Sequence, residues 1–224
     1  MLRAPVLSDL AHGFTGRAEG DLRRTEYAGQ AALVTRLGGH GALRTVQQVH
    51  SARVLRAEAL AEALAETLAA GDVPEADGLV CTTPGMVIAV RVADCVPVLL
   101  AGPGGVAAVH AGWRGTAGDI VRVGARALAE ACACEVGALR AAVGPSIRGC
   151  CYEVGDEVIE GVGAVAPGRS WLAGRHVDLA IANAAILAEL GIPAEVVGGC
   201  TRCGEGWYSH RRGDLERQVG AIRA

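Results

Sequence analysis

Two apolar runs, Met86 to Ala101 and Val106 to His110, flank the turn sequence Gly102-Pro103-Gly104-Gly105. This unit constrains the fold more than any other part of the chain. Glycine and proline at a turn predict a hairpin between two buried strands, Val96–Ala101 and Val106–His110. Further strand-like runs lie at Leu79–Thr82, Met86–Val92, Leu139–Val143 and Ala194–Val197, with residues 43–55 extended. Helices are expected over 26–37, 57–70, 116–131, 153–165 and 178–190. Leucines 60, 64 and 68 form one apolar stripe, Asp178 suits an N-cap, and Gly191 with Pro193 suits a helix end. The tail after Cys200 reads as loop followed by a short helix. Strands and helices interleave without repeats or linkers, so residues 1–224 read as one α/β domain with mixed strand directions.

A chain of 224 residues can bury a substantial core, and this core must be aliphatic, because the chain has only three Trp, three Tyr and one Phe. Its 21 basic residues are all Arg; against 24 acidic residues they leave a formal net charge of -3. That balance argues against nucleic acid as a partner, and the scarcity of aromatics argues against a base-stacking platform. Arg91 and Asp94 break the most apolar stretch, which excludes it as a membrane span. The N-terminal Met1-Leu2-Arg3-Ala4-Pro5 does not read as a signal peptide. The expected setting is cytoplasmic, and in that compartment the eight cysteines should be reduced.

Cys200-Thr201-Arg202-Cys203 has the C-x-x-C spacing of a redox pair or half a zinc site. Cys132 with Cys134, or Cys150 with Cys151, could supply another half, but at unusual spacings. The cysteines other than Cys95 are therefore expected to be buried thiols.

Chemistry concentrates in Ala93-Asp94-Cys95-Val96-Pro97-Val98 and His110-Ala111-Gly112-Trp113-Arg114-Gly115. If Gly102–Gly105 form a four-residue loop, Ala101 lies opposite Val106, Pro97 opposite His110 and Cys95 opposite Gly112, whereas a two-residue loop at Gly102-Pro103 would set Cys95 directly opposite His110. With the four-residue loop Cys95 and His110 share a face at about 7–8 Å, the spacing of diagonal neighbours. Thiolate and imidazole can converge on one metal ion across that gap, through bonds of roughly 2.3 Å and 2.0 Å. Pro97 sits awkwardly, since it cannot donate to a ladder. His50 is the best third ligand; His12, His40, His176 and His210 are alternatives. Cys95 can also be read as a nucleophile with His110 as its base.

These motifs, in order with Gln48-Val49-His50, Ala76-Asp77-Gly78-Leu79-Val80, Val143-Gly144-Pro145-Ser146-Ile147, Cys151-Tyr152-Glu153-Val154-Gly155, Cys200-Thr201 and Tyr208-Ser209-His210-Arg211-Arg212, resemble the YfiH/laccase-domain family, earlier described as polyphenol oxidases. The resemblance covers roughly residues 45–215. It implies a layered α/β/β/α fold with mixed sheets and one zinc ion held by His50, Cys95 and His110. It implies phosphorolysis of purine nucleosides, including adenosine and methylthioadenosine, and adenosine deamination, with purine nucleoside and phosphate as partners. Other readings are editing of peptidoglycan precursors, a zinc-binding protein without turnover, and a copper-type polyphenol oxidase. The last needs more His and Cys motifs than the chain offers.

On this reading Asp94 transfers a proton or orients a ligand, while Arg114, followed by Arg211, binds phosphate through its guanidinium fork. The chain departs from the family after His12-Gly13-Phe14-Thr15-Gly16-Arg17, where Ala18-Glu19-Gly20 replaces a Gly-Gly motif. It departs again at Ser209-His210-Arg211-Arg212, where the family has Ser-Tyr-Arg-Arg.

Overall fold

The computed structural model of the chain describes residues 1–60 and 73–224. The expected hairpin lies at the centre of a six-stranded sheet, as β5 (Val96–Gly102) and β6 (Gly105–Ala111). Its register is the one the turn predicts: Ala101 faces Val106 and Pro97 faces His110. Beyond β5 lie β7 (Arg140–Val143), antiparallel to it, and then β10 (Ala194–Val196), parallel to β7. Beyond β6 lie β3 (Gly78–Cys81), antiparallel, and β2 (Val54–Arg56), parallel to β3. A second sheet holds β11 (Gln218–Arg223) between β1 (His12–Phe14) and β4 (Val87–Val92), all antiparallel. A small hairpin pairs β8 (Leu172–Ala173) with β9 (His176–Val177).

Alternation along β5 sorts its side chains into two cores. Val96, Val98 and Leu100 face helices α3 (Ile120–Ala131) and α5 (Leu179–Glu189), packing with Ile120, Leu128 and Ile186. Leu99 and Ala101 face the second sheet, packing with Ile88, Val90 and Ile222. The outer face of that sheet, with Val87, Ala89 and Val219, is covered by Leu33, Val34 and Leu37 of α1 (Tyr27–Arg36). The layers are therefore α/β/β/α. Strands covered on both faces need apolar residues at every position, which explains the uninterrupted runs. Each fully buried Val or Leu contributes about 1.5–3 kcal/mol.

Pro97 is tolerated inside this sheet. Its carbonyl accepts from Gly144 N–H on the β7 side, where the β5–β7 ladder starts only at Val98. The missing N–H thus faces the end of a ladder.

Some expectations need correction. The tail forms only a single turn at His210–Arg212, closed by Gly213 at φ 102°, and then becomes β11, the middle strand of the second sheet. Its place is set by pairing with β4, more than a hundred residues away in sequence. The helix expected over 116–131 is two helices, α2 (Trp113–Ala117) and α3, broken at Asp119, whose φ is 64°. The extended stretch 43–55 is regular only in β2, with single bridges at Arg44 and Gln47. The helix over 153–165 is shorter, as α4 (Asp156–Gly163). The helix over 57–70 falls largely outside the described residues, although 57–60 are helical. Asp178 caps α5 as expected, accepting from Ile181 N–H. No helix among the described residues is long and apolar enough to cross a membrane.

Candidate metal centre

His110 is the penultimate residue of β6 and points into the space between the two sheets. Cys95 enters from the turn before β5, on the same face by alternation. His50 comes from the loop before β2. Ligand atoms of all three lie within 4.8 Å of one another. Cys95 Sγ is 3.8 Å from His50 Nε2, and the two imidazole centroids are 4.9 Å apart at 71°. Bonds of the usual length in a tetrahedral site set an N–S separation of about 3.5 Å. Two imidazoles and one thiolate at this spacing fit a zinc ion.

Gly112 makes the convergence possible, because a Cβ there would lie 2.9 Å from His50 Cδ2 and 3.0 Å from Cys95 Sγ. His50 itself has φ 61°, a left-handed conformation that must be held from outside. Asp77 holds it. Its buried carboxylate accepts from the backbone N–H groups of Val49, His50 and Ser51 and from Ser51 Oγ. It also accepts from His110 Nδ1 at 2.8 Å, which leaves Nε2 of His110 for a metal.

The electrostatics agree. Burial pushes Asp77 up, but the bonds from His110 and Ser51 outweigh it and hold the carboxyl at about 2. Burial also opposes ionisation of Cys95 and His110, yet each stabilises the other's charge. With help from His50 and Asp77, the thiol pKa falls and the imidazole pKa rises.

A cavity of about 600 Å³ opens onto His50, Cys95 and His110. That volume suits a small-molecule ligand. Arg23, Arg24, Arg91 and Arg217 contribute to its lining. Arg91 is largely buried, and its Nη1 finds no partner among the described residues. Burial and the neighbouring Arg24 lower its pKa to about 10, so it remains a cation at neutral pH.

The other expected residues lie elsewhere. Arg114 does not line the cavity, and its guanidinium stacks 4.3 Å from the Trp113 ring centroid. Arg211 is also off the lining, 5.3 Å over Tyr152. Both oxygens of Asp94 are taken: Thr201 Oγ1 and the Arg211 N–H each donate at 2.6 Å. Of the alternative histidines, His12 is spent on backbone contacts to Ala4 and Leu10, while His210 lines the cavity. The expectation of buried thiols holds for Cys81 and Cys200, but Cys150 and Cys203 are exposed.

Asp77 and Arg91 are the functional candidates that sequence reasoning passed over. Arg91 carried a signal, as a charge within an apolar run. Asp77 sat in a quoted motif, but nothing local linked it to His50 or His110.

The family described as multi-copper polyphenol oxidoreductase laccase matches residues 13–224. A purine nucleoside phosphorylase of Deinococcus radiodurans is 36% identical, covering 95% of this chain and 87% of that protein. An adenosine deaminase from an unknown prokaryotic organism is 38% identical, covering 74% of this chain and 68% of that protein. Among solved structures, YlmD from Geobacillus stearothermophilus aligns with a TM-score of 0.79 at 28% identity, covering 98% of this chain and 93% of that one.

Proposed function

Because the chain belongs to the laccase-domain family, we propose that residues 1–224 act as one cytoplasmic, zinc-dependent purine nucleoside phosphorylase, with adenosine deaminase and methylthioadenosine phosphorylase activity. The observation that carries this reading is the Arg-lined cavity opening directly onto His50, Cys95 and His110. The names of the relatives from Deinococcus radiodurans and the unknown prokaryote support the choice of purine nucleosides.

A zinc ion held by these three residues would supply a Lewis acid and an activated water. Asp77 fixes the His110 tautomer and pins the His50 loop. Arg91, whose Nε–H donates to the Leu22 C=O, lines the cavity and holds phosphate for attack at the ribose C1′, and Arg24 and Arg217 add positive charge to the same cavity. Phosphorolysis replaces the glycosidic C–N bond with a C–O bond to phosphate, so catalysis depends on placing the anion beside the sugar. Asp94 acts as a positioning residue, fastening Thr201 and Arg211 beside the centre. Arg211 lies over Tyr152, which we place on the nucleoside side.

A His–Cys–His donor set also suits a blue copper ion. We favour zinc because the centre faces a substrate cavity, the arrangement of a catalytic zinc with an open position. Metal analysis and the visible spectrum separate the two: the zinc protein is colourless. The reaction is tested with adenosine, inosine and methylthioadenosine, with and without phosphate. Phosphate-dependent base release, lost on chelation, is expected. No base and no ammonia from any of the three would overturn the assignment.

A further inference from the structure

A second group of ligating side chains lies outside the His–Cys–His centre. Cys150 and Cys151 sit in the loop after β7, and Cys200 and Cys203 in the loop after β10. Their four sulfurs lie within 4.8 Å of one another. Cys150 is 3.7 Å from Cys151 and 3.6 Å from Cys203, and Cys151 is 3.7 Å from Cys203. Four sulfurs bound tetrahedrally to zinc at the usual bond length lie about 3.8 Å apart. A disulfide needs about 2.05 Å, and all four cysteines are free thiols.

A backbone donor faces one of the four sulfurs. The Arg148 N–H donates to Cys200 Sγ at 3.5 Å. Such donors stabilise and orient a metal-bound thiolate. The two loops are already docked: Ser146 and Cys200 form a bridge, and Thr201 N–H donates to Ser146 C=O at 3.0 Å. Neutral thiols are weak donors and weak acceptors, so S–H···S contacts alone give little reason for four of them to converge at a partly exposed surface.

We propose that Cys150, Cys151, Cys200 and Cys203 hold a second metal ion, a structural zinc in a closed tetrathiolate site. All four positions are filled by protein, so the ion does no chemistry on substrate. It clamps two loops that touch residues beside the His–Cys–His centre. Cys151 precedes Tyr152, which lies under Arg211, and Cys200 precedes Thr201, which donates to Asp94. The site stands on its own donors and does not depend on the reaction proposed above.

The test is metal content and cobalt substitution in the wild type and in two variants. The wild type should hold about two zinc ions per chain, and Cys95→Ser and Cys203→Ser about one each. Cobalt-loaded Cys95→Ser should keep the intense thiolate-to-cobalt charge-transfer band of a four-sulfur site, and Cys203→Ser should lose it. A mercurial titration of folded Cys95→Ser protein should release its one zinc ion as these four thiols react. A metal-free Cys95→Ser protein, iron in place of zinc, or a Cys200–Cys203 disulfide in freshly purified protein under non-reducing mass spectrometry would each overturn the proposal.

Discussion

The two ligand clusters of this protein are built to opposite plans. His50, Cys95 and His110 converge at the mouth of the inter-sheet core, beneath a cavity, with three donors and a buried carboxylate behind them. Cys150, Cys151, Cys200 and Cys203 converge between two loops at the surface, with four donors and the Arg148 backbone N–H behind Cys200. Three donors facing a cavity leave room for a substrate, whereas four thiolates leave none. On the proposed readings, the contrast is that between a catalytic and a structural zinc site. It also shows where the protein spends rigidity. The open site rests on the central hairpin, while the closed one joins two loops docked at Ser146 and Cys200.

The largest expected effect breaks the comparison most directly. Cys95→Ser should abolish turnover and remove one metal ion, while Cys203→Ser should remove the other, keep turnover and lower the melting temperature. Assays of activity and metal content on the same preparations decide it. If the two variants lose activity alike, the division into catalytic and structural sites fails.

Next is Asp77→Asn. The carboxylate orients His110 and gathers the N–H groups of the His50 loop, and removing such a partner typically costs 10–100-fold, so a loss of about that size in metal affinity or activity is expected. Metal content of the four-cysteine site should not change, which competition with a chelator can read separately in a Cys95→Ser background.

Arg91→Ala should act on one substrate alone. A hydrogen bond to a charged group is worth about 1.5–3 kcal/mol, so KM for phosphate should rise by about tenfold or more. KM for the nucleoside should stay close to the wild-type value. An equal rise in both would mean that Arg91 shapes the cavity without holding the anion.

The smallest effect concerns the loop that carries Arg211. Burial raises the Asp214 pKa, but the Ser209 N–H and the guanidinium groups of Arg17 and Arg212 outweigh it and hold the carboxyl at about 2. A folded-state pKa below the ordinary value of 3.8 adds stability that is complete above that value and disappears as pH falls towards 2. Asp214→Asn should therefore lower the melting temperature slightly at neutral pH and flatten its acid dependence. The effect is small because these ion pairs are partly exposed.

How far the sequence could be read follows the same division. The β5–β6 register was legible because a Gly-Pro-Gly-Gly turn fixes the pairing and a two-residue period fixes the faces. Once the register is known, Cys95 and His110 share a face, and only the choice of His50 needed the family resemblance. The layered α/β/β/α arrangement came from that resemblance as well. The strand β11 was misread because Gln218-Val219-Gly220-Ala221-Ile222-Arg223 is short and holds a glycine. Its identity as a strand depends on β4 lying beside it.

The sequence by itself determined the central hairpin and two of the three ligands in the catalytic cluster, because local periodicity and turn chemistry act over a few residues. Tertiary structure alone decided the rest. Asp77 reaches His110 across 33 positions. Arg91 and Arg217 line one cavity because the C-terminal strand pairs with β4. Cys150 and Cys203 meet across 53 positions because two loops dock at Ser146 and Cys200. Such meetings are products of packing between distant segments, and no spacing along the chain encodes them.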